Sequence, residues 1–481
     1  MLNSITLPQT PVSWALTCVT AVIFYLLSNV AYNIFLHPLA RYPGPLSYAA
    51  SRIPYFMSTF MGTLPLDMID LHKRYGDIVR IAPDQLAFAH PDAWNEIYGR
   101  RIGSFGLEKP SWFFRPFEED PPQITNLPNE EHRRLRRHFA HGFSDREIRE
   151  QEPIIQGYIN LLLQRLHEIC REETIVISDW YNYVTFDIIG DLVFGEPFGC
   201  LKGSSYDKWI QTILTAGRAG IVIQALSFVP LLKQALTTVL HRPIYNARES
   251  LKSYTRQKMS RRMAMAGDRP DLIEALVKNK DKLSLGIHEL TANAEILVFA
   301  GSETTATLLS GATYLILKNP EAHRRLVKEV RSAFNNQEEI NLTSVAKLPF
   351  MLACLDEALR MYPPNAVGLP RVCAAVHQFA LYRREEYFTD PNTFHPERFL
   401  QDPRFLNDRR DMLQPFHVGP RDCLGRNLAY TEMRLILAHI IFNFDMKLSD
   451  DSQDWIQQKN HVMWKKGPLK VQLTPINKNG S

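Results

Sequence analysis

The feature that most constrains the fold is residues 286–317, a helical pattern with apolar side chains on every side. A helix that is hydrophobic all round belongs inside a large core. The chain has 481 residues, enough for about three ordinary domains or one large one. After Leu66 it contains no Gly/Ser linker, low-complexity tract or repeat. We therefore expect one large domain built around this helix.

The remaining patterns predict a mainly α fold with small β-sheets, an α+β arrangement. Apolar residues at helical spacing predict further helices over 145–168, 320–334, 344–361 and 424–444. Strand-like alternation is sparse and predicts only two strands, 78–82 near the front and 469–473 at the end.

The first forty residues carry no Asp, Glu, Lys or Arg, and Arg41 is the first charged side chain. Residues 12–35 are long and apolar enough to cross a bilayer once as a helix. They lack the basic start and small-residue cleavage site of a signal peptide. Because positive charges follow the span, we expect residues 41–481 in the cytosol, anchored by residues 1–40. A buried core helix is the alternative interpretation.

Composition excludes several classes of protein. A net charge of +4 over this length is too weak to indicate nucleic-acid binding. The six cysteines are scattered without a Cys-x-x-Cys pair, which excludes a disulfide framework and a zinc finger. One cysteine with a special role remains compatible with this pattern.

Cys423 follows a Gly- and Pro-containing loop, 416–422, and precedes a long apolar helix. The amide groups and dipole at a helix start stabilise a thiolate, and Arg421 adds positive charge. Gly425 lets another body approach the backbone. A single thiolate in this position could serve as an axial ligand of haem iron. The alternative is a buried cysteine with no chemical role.

The stretch 416–425 resembles the Phe-x-x-Gly-x-Arg-x-Cys-x-Gly haem-thiolate signature of the cytochromes P450. The resemblance implies the cytochrome P450 fold with a single N-terminal transmembrane helix. It also implies haem b (iron protoporphyrin IX), with Cys423 as the iron ligand and Phe416 packed beside it. Arg421 would contact a haem propionate, and Gly425 would lie close to the cofactor.

Two further stretches are similar to motifs of this family. Glu357 and Arg360, with Arg398, resemble the buried Glu-Arg-Arg triad, although a Glu/Arg pair at this spacing is usually a solvated ion pair. Residues 300–305 resemble the oxygen-activation motif, in which Glu303 and Thr304 relay protons. Ala300 and Gly301 would make room for O₂. A simple helix contact is the alternative for these residues.

A basic run, 131–138, resembles the family's Trp-x-x-x-Arg helix, with His132 and Arg136 at the propionate-binding positions. Arg371 resembles a further propionate contact. The exposed arginines of this run would dock an acidic NADPH-cytochrome P450 reductase, although a solvated face is the bland interpretation. These docking residues are Arg133, Arg134 and Arg137.

The chain departs from the family pattern after Val372, where roughly twenty residues, about a β-hairpin, are missing. If 369–372 and 375–378 still pair as strands, Cys373 and Ala374 form the turn. A two-residue hairpin prefers Gly, Asn or Asp because its residues adopt positive φ. The gap is either an artefact of the gene sequence or a deletion near the substrate channel.

The amino-acid sequences of these stretches are most similar to those of fungal microsomal enzymes of secondary metabolism. The resemblance implies a monooxygenase of the endoplasmic-reticulum membrane that hydroxylates or epoxidises an apolar polyketide, terpenoid or related molecule. It would use O₂ and electrons from the NADPH-dependent reductase. We expect the substrate pocket to include the aromatic loop 105–117 together with Phe299, Ala300, Thr304, Val367 and Leu369.

Three alternatives remain at this stage. The gap favours a haem-binding but inactive remnant. A non-oxygenating isomerase or dehydratase of the same family would not need the Glu303–Thr304 pair. A membrane-anchored hydrolase is disfavoured, because the chain has no Gly-x-Ser-x-Gly or His-Glu-x-x-His motif.

Overall fold

A computed structural model gives the fold of the chain. It describes residues 10–100, 107–110, 114, 121–170, 174–207, 209–213, 215, 226, 230–239, 241–265, 268–283 and 285–476.

The N-terminal segment forms helix α1, Pro11–Ala31, which continues as a π-helical turn, Tyr32–Leu36. Thr10 caps it: the Ser13 amide donates to the Thr10 hydroxyl (3.2 Å), which satisfies an otherwise unpaired helix-end group. Within the 26 residues Pro11–Leu36, an 18-residue window has a mean hydropathy of 1.7, and none of that window is buried in the protein. A helix of this length and composition is compatible with a membrane anchor.

The body is mostly helical, as the patterns predicted. Its longer helices are α4 (Leu64–Tyr75), α5 (Asn129–Gly142), α6 (Asp145–Ile169), α7 (Ile177–Phe194), α9 (Pro230–Val239), α10 (His241–Ala264), α13 (Ile287–Lys318), α14 (Pro320–Ala333), α16 (Pro349–Met361) and α18 (Arg426–Asn443). Its shorter ones are α2 (Leu46–Ala50), α3 (Ile53–Met61), α8 (Cys200–Gly203), α11 (Glu274–Lys278), α12 (Lys280–Leu283), α15 (Leu342–Val345) and α17 (Gln378–Leu381).

Helix α13 lies in the core, which confirms the prediction made from its all-round hydrophobicity. It packs lengthwise against α7, and the Tyr181 hydroxyl meets the Thr313 hydroxyl between them at 2.7 Å. One helix boundary was predicted wrongly: residues 344–361 do not form one helix. Proline is favoured in the first turn of a helix and is disfavoured in its interior. Helix α16 therefore begins at Pro349, and the residues before it form the separate short helix α15.

The described residues also form three small sheets, and both predicted strands are present. The first sheet has the order β1-β2-β4, the second β3-β8-β5, and the third β6-β7. The strands are β1 (Ile78–Ala82), β2 (Gln85–Phe88), β3 (Ile175–Val176), β4 (Ala374–Val376), β5 (Phe444–Leu448), β6 (Asn460–His461), β7 (Met463–Trp464) and β8 (Lys470–Pro475).

The short segment after Val372 folds differently from the prediction. Arg371 and Ala374 exchange both backbone hydrogen bonds (2.8 and 2.7 Å), so Val372 and Cys373 form the turn. Neither turn residue has a positive φ. Turns without positive φ splay the flanking strands, which explains why pairing stops at this bridge. Strand β4 instead pairs in parallel with β2.

Candidate haem-thiolate site

Cys423 lies in a loop that is closed by a backbone hydrogen bond between Cys423 and Phe416. Its amide donates to the Phe416 carbonyl (2.8 Å), and helix α18 begins three residues later. Gly419, at φ +81°, is required by close packing, because a Cβ there would lie 2.0 Å from the Tyr98 carbonyl oxygen. The Phe416 ring packs on Tyr430 at 5.3 Å between centroids. The loop is therefore a defined turn that presents one cysteine.

The Cys423 side chain is exposed, although enough protein surrounds the thiol to affect its ionisation. Burial raises the pKa of the thiol, while the Gly425 amide, Arg136 and Arg426 lower it. The stabilisation expected at the helix start is present through the Gly425 amide, but burial acts more strongly, so the pKa of the thiol is raised on balance. A bound metal cation deprotonates a coordinating thiol outright, which supplies the missing stabilisation.

Basic side chains converge beside this loop with few anions among the described residues. Burial lowers the pKa of Lys109 well below its usual range, and Arg371, Arg421 and Arg136 lower it further. Burial, Arg371 and Arg136 lower the pKa of Arg421 to about 10. Burial and the neighbouring cations, with Arg421 and Arg136 first, lower the pKa of His132 to about 3. The sequence did not predict a role for Lys109, because its segment was interpreted only as an aromatic loop that lines the substrate pocket.

The hydrogen bonds of this cluster show which cations are already occupied. Arg136 binds the Asp422 carbonyl (2.7 Å) and carboxylate (2.5 Å). Arg421 donates to the Asn129 side chain (2.9 Å) and the Leu127 carbonyl (2.6 Å). One terminal nitrogen of Arg421, and one of Arg371, is buried without a partner among the described residues.

Such unpaired buried donors are costly, and a carboxylate would satisfy both. Haem carries two propionate carboxylates on the edge of the ring that holds its iron, so these residues and Cys423 would fit a bound haem. Arg136 is committed to Asp422 in this structure, so its predicted propionate contact stays a prediction, as does that of the neutral His132.

The predicted Glu-Arg-Arg set lies together in the interior. Arg360 donates to both Glu357 carboxylate oxygens at 2.7 Å, Arg398 donates to one of them at 3.3 Å, and all three side chains are fully buried. Arg398 also pairs with Asp408, which the sequence reasoning missed. Arg360 further donates to the Tyr382 carbonyl at 2.9 Å. The arrangement ties α16 to the chain that leads into the cysteine loop.

The predicted oxygen-activation residues occupy different faces of α13. Ala300 is exposed and Phe299 and Thr304 are partly exposed, so this face borders open space. The Thr304 hydroxyl donates to the Ala300 carbonyl (2.6 Å), and the helix stays continuous instead of opening. Glu303 is buried and forms an ion pair with Lys466 at 3.1 Å.

Two residues with predicted roles at the pocket pack against the protein interior. A Cβ on Gly301 would lie 2.8 Å from the Ile189 side chain, so the glycine permits close packing of α13 on α7, and its role in making room for O₂ stays a prediction. Val367 is buried in a cluster with Val79 and Ile81 beneath the first sheet, because the segment folds back onto that sheet.

The remaining residues predicted to line the pocket are Leu369 and those of the aromatic loop. Leu369 is partly exposed, and its carbonyl accepts a hydrogen bond from the Tyr98 hydroxyl (2.8 Å), which also accepts from the Val376 amide (2.9 Å). Tyr98 thus braces both ends of the shortened segment, a role the sequence did not signal. Phe105 and Phe117 of the predicted aromatic loop lie outside the described residues.

The arginines predicted to dock a reductase lie on the outer face of α5, where all three are exposed: Arg133, Arg134 and Arg137. Arg134 also donates to the Leu283 carbonyl at 3.0 Å. His132, on the opposite side of the same helix, is buried.

Comparisons with known proteins show the family of the chain. The family model of the cytochromes P450 matches residues 50–473. The chain is 44% identical to cytochrome P450 monooxygenase prhB of Penicillium brasilianum over 476 residues, 95% of this chain and 97% of that protein. It is 44% identical to cytochrome P450 monooxygenase tpeC of Talaromyces stipitatus over 486 residues, covering 96% and 95%. It is 41% identical to averantin hydroxylase of Dothistroma septosporum over 484 residues, covering 96% and 91%.

The family model and these relatives define the class, and the chain belongs to the cytochrome P450 family. The predicted fold and the predicted monooxygenase activity are confirmed, and both accord with fungal secondary-metabolite relatives. Membership implies haem iron, O₂, a redox partner and a small-molecule substrate.

Proposed function

We propose that this monooxygenase hydroxylates or epoxidises an apolar polyketide, terpenoid or related molecule, with electrons from an NADPH-dependent cytochrome P450 reductase. The observation that carries the proposal is a pair of buried guanidinium nitrogens, one on Arg371 and one on Arg421, that have no partner among the described residues and lie beside the Cys423 loop. They supply the charge that a haem b with two free propionates requires. The relative named averantin hydroxylase supports a hydroxylation.

The residues have distinct tasks in this proposal. Cys423 would hold the haem iron, Phe416 would pack beside it, and Gly425 would leave room for the ring. Arg371 and Arg421 would hold propionates, with His132 as a further donor. When bound, the haem supplies the oxygen activation, which thiolate ligation favours.

Thr304 and Glu303 would move protons into the pocket. The Thr304 hydroxyl is fixed by its bond to the Ala300 carbonyl and keeps two lone pairs free to accept a proton on the open side of α13. Glu303, one position earlier, would resupply it. Phe299, Ala300 and Leu369 would contact the substrate, and their apolar surfaces favour an apolar molecule.

The exposed α5 arginines would steer the acidic reductase to this face. Reversing Arg133 and Arg137 to Glu should slow reduction of the haem at low salt and matter less at high salt, because exposed charges are screened. Reversing the exposed Arg324 of α14 provides a matched control for charge alone. Equal effects of both changes would contradict docking at α5.

We also propose that residues 1–40 anchor the enzyme in the endoplasmic reticulum once and that residues 41–481 form the cytosolic catalytic domain. Support comes from the unburied apolar helix and from the positive charges that follow it. Protease protection of tagged N- and C-termini in microsomes tests this orientation.

The reduced carbon-monoxide difference spectrum tests the axial ligand. We expect the absorption band of a thiolate-ligated haem, lost in Cys423→Ala and retained in the control Cys170→Ala, which removes a cysteine distant in sequence from the loop. Haem binding without this band would refute the ligand. A normal band without NADPH-dependent product from any apolar substrate would instead favour the inactive remnant that the missing hairpin suggests.

A further inference from the structure

One tyrosine contacts both the shortened segment 369–376 and the cysteine loop 416–422. Tyr98 is buried and ends the π-helical turn Trp94–Tyr98. Its hydroxyl donates to the Leu369 carbonyl at 2.8 Å and accepts from the Val376 amide at 2.9 Å. A buried phenol whose hydroxyl both donates and accepts is held in one orientation. The Tyr98 side chain is therefore fixed relative to the shortened segment.

Arg371 lies between the two points of the segment that Tyr98 holds. The Arg371 backbone is also bridged to Ala374 by two hydrogen bonds of 2.8 and 2.7 Å. The Arg371 guanidinium lies over the Tyr98 ring, 5.2 Å from its centroid, where the face of an aromatic ring attracts a cation. Tyr98 thus contacts the charged end of Arg371 and holds the backbone on both sides of it, while one guanidinium nitrogen has no partner among the described residues.

The Tyr98 ring also contacts the cysteine loop. It meets the ring of His417 edge to face, with 4.4 Å between the centroids and 75° between the planes. Trp94 contacts the same imidazole at 5.1 Å. His417 has a φ of +63°, a left-handed conformation that is unfavourable for a residue other than glycine. The two aromatic rings therefore support a part of the loop whose backbone conformation is costly by itself.

The charges around Tyr98 leave Arg371 available for an anion. Burial, with Arg371 and Lys109 next, lowers the pKa of His417 to about 3, so this imidazole is neutral at ordinary pH. Burial raises the pKa of Tyr98 to about 12, although the Val376 amide and Arg371 lower it. Neither ring carries a negative charge that would pair with the guanidinium.

We propose that Tyr98 is a positioning residue that couples the two parts of the haem site. Its hydroxyl holds the segment that directs Arg371 toward a propionate, and its ring supports the loop that presents Cys423. The inference rests on the proposed propionate role of Arg371.

Tyr98→Phe removes the hydroxyl and keeps the ring. The freed segment should hold Arg371 less well, and we expect haem to transfer to apomyoglobin about two to ten times faster, the effect of one hydrogen bond of ordinary strength. The reduction potential of the haem should fall, because a displaced Arg371 leaves more propionate charge uncompensated and favours the ferric state. The thiolate band of the reduced carbon-monoxide complex should be retained.

Tyr181→Phe is the matched control, because the buried Tyr181 hydroxyl is also hydrogen-bonded, to Thr313 at 2.7 Å, but between α7 and α13. We expect neither the rate of haem loss nor the potential to change in this variant. Equal changes in Tyr98→Phe and Tyr181→Phe would reflect a general loss of stability and would overturn the inference.

Arg371→Met tests whether Tyr98 acts through the guanidinium. Haem loss should be faster in this variant, and Tyr98→Phe should add little to it in the double substitution. If the two effects multiply instead, Tyr98 does not act through Arg371, and the inference fails. If Arg371→Met leaves haem loss and potential unchanged, the proposed propionate role fails and this inference with it. If Arg371→Met changes both but Tyr98→Phe changes neither, only the positioning role fails.

His417→Asn tests the contact with the cysteine loop. Asparagine tolerates the positive φ but offers no ring to Tyr98. We expect part of the reduced carbon-monoxide complex to lose the thiolate band in this variant; a complete band would refute the support that Tyr98 gives to the loop.

Hydrogen exchange of the full chain gives a measurement that does not depend on bound haem. The backbone amides of residues 369–376 should exchange faster in Tyr98→Phe and at an unchanged rate in Tyr181→Phe. Unchanged exchange in Tyr98→Phe would show that the hydroxyl does not hold the segment, and the inference would be wrong.

Discussion

Glu357→Gln should be among the most damaging single substitutions in the chain. The Glu357 carboxylate accepts three hydrogen bonds from Arg360 and Arg398, and a fourth from the His395 amide at 3.0 Å. A neutral amide loses the charge and at least two of these acceptor contacts. Hydrogen bonds to charged groups are worth about 1.5–3 kcal/mol each, and breaking a buried pair costs about 3–5 kcal/mol. We therefore expect Glu357→Gln to lower the free energy of unfolding by about 3–5 kcal/mol.

Glu321→Gln is the matched control, because Glu321 and Arg324 form a Glu/Arg pair at the same helical spacing with about three-quarters of each side chain exposed. An exposed pair contributes about 0–1 kcal/mol. Urea unfolding of both variants at equal haem loading, followed by the Soret band and by circular dichroism, measures the difference. Equal shifts of the two midpoints would refute the argument that burial makes the Glu357 pair critical.

Two further predictions concern packing and pH. Gly301→Ala should destabilise the protein by about 1–3 kcal/mol, because its Cβ overpacks against Ile189. Ile189→Val should relieve this, and Gly157→Ala, where nothing lies within 4 Å, is the neutral control. Burial lowers the pKa of His377 to about 3; between pH 6.5 and about 3 the unfolded state therefore binds the extra proton, and this histidine alone should lower stability by about 1.4 kcal/mol for each pH unit that the pH falls. His377→Asn should flatten this slope in a pH series of unfolding midpoints, and an unchanged slope would exclude His377 as its origin.

Local signals in the sequence were sufficient for much of the fold. The all-round hydrophobicity of residues 286–317 predicted a core helix because burial leaves a mark at every position of one segment. The family resemblance of 416–425 then predicted the cysteine loop. The boundary at Pro349 was missed because apolar spacing alone outweighed the proline signal.

Contacts between distant segments could not be predicted in this way. Lys466 meets Glu303, and Asp408 meets Arg398, through the packing of elements that no periodicity relates. The burial of Val367 was not predicted for the same reason, since it depends on how the segment after α16 turns back onto the first sheet. Side-chain direction on α13 likewise separated Glu303 from Thr304.

The Val372–Cys373 turn bears on how the length of this family can vary. The base of the turn is closed by the Arg371–Ala374 bridge, and Tyr98 holds the flanks at Leu369 and Val376. Val372 at the tip is more than half exposed. The cost of closing a loop rises only slowly with its length, so a hairpin can be inserted or removed at this tip while the base stays fixed. A change of length at this tip would therefore leave both the stem of the turn and the cysteine loop in place.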